Sequence, residues 1–268
     1  MMKTIVITGS TKGIGLGLAK EFLQRNCNVV ISGRNRDRLK SELNNLKNLF
    51  GTAAVHGEAC DVTAADQVEA LWRIAKEAFD QVDVWINNAG IDNPMKPYNE
   101  LREEEITPVV TTNILGMMYG CHTALRGMLE QGSGQIYNVD GYGSNDMMRT
   151  GYTVYGTTKR GLRYFTESLT KEMEDRPVQI CTLSPGMVVT DFMVDQLRSL
   201  DPDQREGIKA IYNALADTVK TVVPFLVDGV LQNTESGTRI AWLTQEKIDQ
   251  RFNSDEYVGR NLFSAYGL

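Results

Sequence analysis

The feature that most constrains this chain lies at its start. "KTIVITG" is an apolar, β-branched run that passes directly into "TGSTKGIG", with Gly9, Gly13 and Gly15, and then into an amphipathic stretch from about Ile14 to Arg25. A strand feeding a glycine-rich turn and then a helix brings backbone N–H groups to the positive end of a helix dipole, where a pyrophosphate can be held. The rest of the chain keeps this rhythm. "NVVISG", "AAVHGEACDV", "VDVWINNAG", "GQIYNVDG" and "VQICTLSPG" alternate with helical stretches near 37–50, 65–79, 111–130 and 155–174, and a last strand is expected near 238–243. Continuous apolar strands separated by helices predict a parallel sheet covered on both faces. Nothing interrupts the alternation, so residues 1–268 read as a single doubly wound α/β domain. It carries a polar, irregular insertion near Asp191 to Gly207, within a substrate loop near 187–215, and a tail from 244.

Composition excludes several function classes. A net charge of −6 gives no general attraction to nucleic acid or to an anionic membrane. Cys27, Cys60, Cys121 and Cys181 are far apart, with no paired spacing and no neighbouring histidine pair, so buried reduced thiols are expected and no metal site. No apolar run approaches the ~18 residues of a membrane span. The first strand begins at residue 3, which leaves no room for a leader, and a cytoplasmic setting is the expectation.

The turn residues Gly9, Ser10, Thr11, Lys12, Gly13, Ile14 and Gly15 are the expected phosphate cradle of a dinucleotide. A carboxylate at the end of the second strand would bind a free 2′-hydroxyl, whereas a cation there accepts a 2′-phosphate. "ISGRNR" offers Arg34 and no acid, and Lys12 can reach the same spot, so NADPH is expected in preference to NADH. Asp61 and Val62, ending the third strand, are expected beside the adenine, and Asn88, Ala89 and Gly90 at the carboxyl edge after the fourth. Tyr155 and Lys159 stand one helical turn apart. Hydride transfer to a carbonyl leaves an alkoxide that needs a proton, and a nearby cation lowers a phenol's pKa toward the range where it exchanges protons readily.

With TGxxxGxG, NNAG, the YxxxK pair and "SPGMVVT" in this order, the sequence resembles the short-chain dehydrogenase/reductase family over nearly its whole length. The resemblance implies a Rossmann-type domain, a homodimer or homotetramer, and a small-molecule carbonyl or alcohol substrate. It also implies a proton-transfer role for Asn113 with Tyr155 and Lys159, and a nicotinamide-holding segment with Pro185, Gly186, Val188 and Thr190. Where the family has a strand like "IVNISS", whose second serine orients the substrate carbonyl, this chain has "IYNVDG". Aligned on the strand the serine position is Gly141; counted back from Tyr155 it is Tyr142. Ser144 is the favoured substitute hydroxyl and Tyr142 the alternative. "NVDGYGS", "VYGTTKRGLRYF" and "ADTVKTVVPF" look like the chlorophyll b reductase branch, in which the serine is also replaced, so an active NADPH-dependent carbonyl reductase is expected. A non-catalytic NADPH-binding regulator is the alternative.

Met147, Met148, Met187 and Met193 are expected around the nicotinamide, where flexible thioethers suit a large flat ligand. His56 and His122 are expected to be structural. The tail, with Phe252, Tyr257, Phe263 and Tyr266, is expected to cover either the sheet edge or a neighbouring subunit.

Overall fold

The period-two alternation of the strands sets the layers. In β1 (Thr4–Ile7), Ile5 and Ile7 enter one core and Val6 the other, because successive side chains leave opposite faces of a strand. The computed structural model describes residues 2–145 and 147–268. After β1 come β2 (Asn28–Gly33), β3 (Val55–Ala59), β4 (Val84–Asn87), β5 (Gly134–Val139), β6 (Val178–Ser184), β7 (Val188–Val189), β8 (Asp217–Thr218) and β9 (Arg239–Ala241). The main sheet has seven strands in the order β3-β2-β1-β4-β5-β6-β9, all pairs parallel. Ile5 stands opposite Val29 on one side and Val84 on the other. Strand order reverses between β1 and β4, which opens a crevice at their carboxyl ends.

The helices are α1 (Gly13–Gln24), α2 (Arg36–Phe50), α3 (Ala65–Phe79), α4 (Glu103–Val110), α5 (Met117–Gln131), α6 (Thr153–Glu172), α7 (Asp191–Ser199), α8 (Pro202–Leu215), α9 (Val219–Gln232), α10 (Gln245–Phe252) and α11 (Asp255–Val258). Leu18 and Phe22 of α1, Leu46 of α2 and Leu226 of α9 bury against Ile5, Ile7 and Ile31. Leu71 of α3, Met128 of α5 and Leu162 of α6 bury against Val6, Trp85 and Ile180 on the other face.

Two expectations about elements change. The helix predicted over 111–130 begins earlier, with α4, and passes through a π-helical segment, Thr111–Gly116, before α5. Pro108 in α4 has no N–H to give the regular ladder, and π geometry often marks a place where a helix presents a side chain to a site. The insertion expected to be irregular is instead helical, as α7 and α8. Together with Phe263 of the tail they enclose a third core of Met193, Val194, Leu197, Leu200 and Tyr212. The tail does fold back on its own chain. Arg251 and Arg260 both reach the buried carboxylate of Asp217, at 2.6 Å and 3.1 Å, and the Trp242 indole N–H donates to it at 2.7 Å. Among the described residues, no helix is long and apolar enough to cross a membrane.

Candidate active site

A cavity of about 490 Å³ lies along the carboxyl ends of the strands, lined by the turns after β1, β2, β4, β5 and β6. At its nucleotide end α1 begins without a side-chain cap and without an acid in its first turn, so its N-terminal N–H groups remain open to an anion. A Cβ on Gly15 would lie 2.5 Å from the Asn88 amide and 2.6 Å from the Gly9 carbonyl, and this is how closely the turn packs on the neighbouring loop. The Thr8 hydroxyl accepts from the N–H groups of Asn88 and Ala89, and Asn88 Nδ2 donates to the carbonyls of Thr8 and Gly9, locking the two loops together. Three cations, Lys12, Arg34 and Arg38, line this end. Their setting fits a phosphorylated dinucleotide.

The sequence-predicted cofactor residues divide. Gly9, Thr11, Lys12, Gly13, Ile14, Gly15, Arg34, Val62, Asn88, Ala89, Gly90, Pro185, Gly186, Val188 and Thr190 line the cavity with Tyr155 and Lys159. Ser10 and Asp61 are not brought there. The fully buried Ser10 hydroxyl donates to the Ile7 carbonyl and accepts from the Ser32 N–H, which ties the turn to β2. Asp61 accepts from the N–H and hydroxyl of Thr63 and shapes the turn before α3, while Cys60 faces the cavity in its place. Arg38 escaped the sequence reading because it lies a turn inside α2; Asn35 caps that helix by accepting the Arg38 N–H, and so fixes where Arg38 starts.

Tyr155 and Lys159 meet on α6 with Lys159 Nζ 5.6 Å from the Tyr155 ring centre. Lys159 Nζ donates to the Val139 carbonyl at 3.0 Å, and burial brings its pKa down to about 8 against the opposing charges of Asp140 and Asp92. For Tyr155 the expected lowering is reversed: burial first, then Asp92 and Asp140, push the phenol up. A buried phenolate facing two carboxylates is disfavoured, so Tyr155 is held as the acid. Asn113, in the π segment, stands behind the cavity wall. Its Oδ1 accepts from the Ile91 N–H, and its Nδ2 donates to the Ile91 carbonyl and to Thr158 Oγ1.

The structure resolves which residue holds the family's serine position. A Cβ on Gly141 would lie 2.6 Å from the Tyr155 hydroxyl and 3.2 Å from Lys159 Cε, so Gly141, not Tyr142, faces the catalytic pair. Ser144 is not where the sequence reading put it. Its hydroxyl donates to Asp140 Oδ2 at 3.3 Å, away from the cavity lining. Asp140 is buried, and Arg239 of β9 holds the same oxygen through Nε at 3.1 Å and a terminal nitrogen at 2.8 Å.

The substrate end is aromatic. Tyr142 packs on Tyr152 with ring centres 5.0 Å apart, Tyr152 on Tyr155 at 6.0 Å, and Tyr155 on Phe192 at 6.4 Å. Met187 and Met193 line this end as expected, but Met147 and Met148 do not; they are exposed on the surface. Sequence reasoning missed Tyr152, Phe192, Gln196 and Tyr212, which line it too. Gln196 of α7 joins them: its Oε1 accepts from the hydroxyls of Tyr152 at 3.1 Å and Tyr212 at 3.3 Å, and its Nε2 donates to Asp92. Burial raises Asp92 to about 7, opposed by bonds from the Asn93 N–H and Gln196 and by the charge of Lys159.

A sequence profile described as short chain dehydrogenase matches residues 3–201. The chain is 39% identical to the chloroplast chlorophyll(ide) b reductase NOL of rice (Oryza sativa subsp. japonica), over 97% of this chain and 78% of that protein. It is 38% identical to the NOL protein of Arabidopsis thaliana, over 95% of this chain and 74% of that one. Among solved structures it resembles the closed form of serine dehydrogenase complexed with NADP+, with a TM-score of 0.77 and 25% identity over 90% of this chain and 94% of the other. Levodione reductase, at 22% identity and a TM-score of 0.79, covering 91% of this chain and 97% of its own, has the same fold. A glycine-rich turn opening an uncapped helix, a Tyr–Lys pair in the same crevice, and these likenesses agree: the chain belongs to the short-chain dehydrogenase family and is an NAD(P)-dependent oxidoreductase.

Proposed function

We propose that the protein reduces the carbonyl of a large, flat, apolar substrate with NADPH, in the manner that the name chlorophyll(ide) b reductase describes for its plant relatives. The observation that carries this reading is Tyr155, held as the acid in a cavity whose substrate end is lined by Tyr142, Tyr152, Phe192, Met187 and Met193. The cofactor, when bound, supplies hydride to the carbonyl carbon. Tyr155 gives its proton to the oxygen as negative charge develops there, and Lys159 stabilises the phenolate that remains. The aromatic and thioether walls exclude water and hold a planar substrate by contact area rather than by many polar bonds.

Lys12, Arg34 and Arg38 support NADPH over NADH, since each can meet a 2′-phosphate. The four cysteines are free and buried, in keeping with a reducing, cytoplasm-like compartment. A homodimer or homotetramer completes the proposal, to be checked by light scattering.

The test is NADPH consumption with chlorophyllide b and with naphthaldehyde. Turnover that disappears in Tyr155→Phe is the expected result. NADPH binding with no turnover of either would replace the reductase by an NADPH-binding regulator. Arg34→Asp should shift preference toward NADH by roughly tenfold or more, since a charge-assisted bond to phosphate is worth on the order of 1.5–3 kcal/mol. Equal affinity of the unaltered protein for the two cofactors would remove the NADPH assignment.

A further inference from the structure

We infer that the hydroxyl of Tyr212, carried over the site by α8, is the second hydrogen-bond donor to the substrate oxygen, the role that a serine has in the wider family and that Gly141 cannot fill here. This rests on the reductase reading above. An oxyanion forming in a dry cavity is poorly stabilised by a single donor, so a partner for Tyr155 is needed. Gly141 has no side chain, and Ser144 is not among the residues that line the cavity. The polar side chains that remain at the aromatic end include the phenols of Tyr142, Tyr152 and Tyr212, the amide of Gln196, and the guanidinium of Arg149, which stands over the face of the Tyr152 ring at 5.6 Å.

Among these, Tyr212 has the setting of a placed donor. It is 3% exposed yet lines the cavity. Its ring is backed by Phe263, at 6.3 Å between centres, so the hydroxyl is delivered by a fixed ring rather than by a mobile one. That hydroxyl lies 3.2 Å from the hydroxyl of Tyr152, and both contact Gln196 Oε1. Three contacts are therefore shared by two hydroxyl protons. With the Tyr152 hydroxyl donating to the Tyr212 oxygen, the Tyr212 proton is released from Gln196 Oε1 and can turn to a substrate oxygen.

The chemistry balances without a further reactant. Hydride forms the new C–H bond, the carbonyl π bond breaks, Tyr155 transfers its proton to the oxygen, and Tyr212 donates a hydrogen bond without transferring an atom. Because Tyr212 and Gln196 belong to α8 and α7, the second donor is in place only when these helices lie over the cavity.

The experiment is Tyr212→Phe, which keeps the ring against Phe263 and removes only the hydroxyl. With naphthaldehyde, kcat should fall by ~10²–10³, the usual loss for one oxyanion donor, with KM for NADPH and the melting temperature little changed. Ser144→Ala should retain full turnover. A kcat for Tyr212→Phe within about twofold of the unaltered protein overturns the inference, as does the loss appearing in Tyr142→Phe or Ser144→Ala instead. A second measurement separates this from the reductase reading: calorimetric binding of naphthalenemethanol to the protein loaded with NADP+. Weakened binding in Tyr212→Phe supports the donor even where no carbonyl is turned over, in which case only the reductase reading falls. Equal binding, or none to the unaltered protein, overturns the inference.

Discussion

Gly141 shows how far a single position could be read from sequence. The "IYNVDG" string displayed the missing serine, but strand alignment and counting from Tyr155 pointed to adjacent residues, and only the direction of the absent Cβ settles the matter. The loop's spacing gave no sign that the Ser144 hydroxyl turns to a buried carboxylate, because that carboxylate is fixed by Arg239, some hundred residues away in sequence. Restoring the family's serine should accordingly harm this protein. Its Cβ would meet the Tyr155 hydroxyl at 2.6 Å, so Gly141→Ser should displace the acid and lower kcat at least ~10-fold, for an overpacking cost of about 1–3 kcal/mol. An equal or higher kcat would show that Tyr155 has room to retreat. Lys159 gives a pH prediction whose sign follows from its burial. Burial disfavours the cation and brings its pKa down to about 8, so the charge that stabilises the Tyr155 phenolate is present below that pH and lost above it. Turnover should decline as pH rises through about 8, and Lys159→Met should be slow throughout. A kcat profile that stays flat across that range would take the Lys159 charge out of the rate.

At the scale of elements, strands and their crossover helices were legible because β-branched runs and apolar periodicity are local signals, and α3 has the boundaries that its pattern predicts. The segment after Thr190 was misread as irregular. Its polar residues dominate the composition, while the buried ones, Met193, Val194 and Leu197 in α7 and Tyr212 in α8, are too few to advertise a face until they meet the tail. Helices this short gain their stability from tertiary packing rather than from propensity. Asp217 is the tie that secures the end of α8. It is 6% exposed and compensates Arg251, which is 5% exposed, as well as Arg260. Asp217→Ala would leave the Arg251 guanidinium buried without its partner, at a cost of about 3–5 kcal/mol. Urea unfolding should show that loss as a lowered midpoint; a change below about 1 kcal/mol would mean that the arginines are compensated elsewhere.

Taken as a whole, the molecule joins the two cores on the faces of the sheet to a third with a different task. The sheet and the helices on its faces form the nucleotide end, lined by Lys12, Arg34 and the start of α1, and among the described residues none of the tail belongs to the two cores on the sheet's faces. The third core, built from α7, α8 and Phe263, carries the substrate end and brings Gln196 and Tyr212 to Tyr155. Phe263 is fully buried there, so Phe263→Ala should cost about 3–5 kcal/mol within this core. Because the third core is the smaller unit, the loss should appear as local opening rather than global unfolding. Amide exchange in 191–215 should accelerate while exchange in β1, β4 and β5 stays slow. NADPH affinity should change less than about threefold, since the glycine-rich turn and Lys12, Arg34 and Arg38 lie outside the third core, whereas kcat should drop at least ~10-fold with the loss of Tyr212's backing. If NADPH affinity and kcat fell together, or if exchange accelerated evenly across the sheet, the third core and the sheet would be a single cooperative unit, and the tail would serve stability alone.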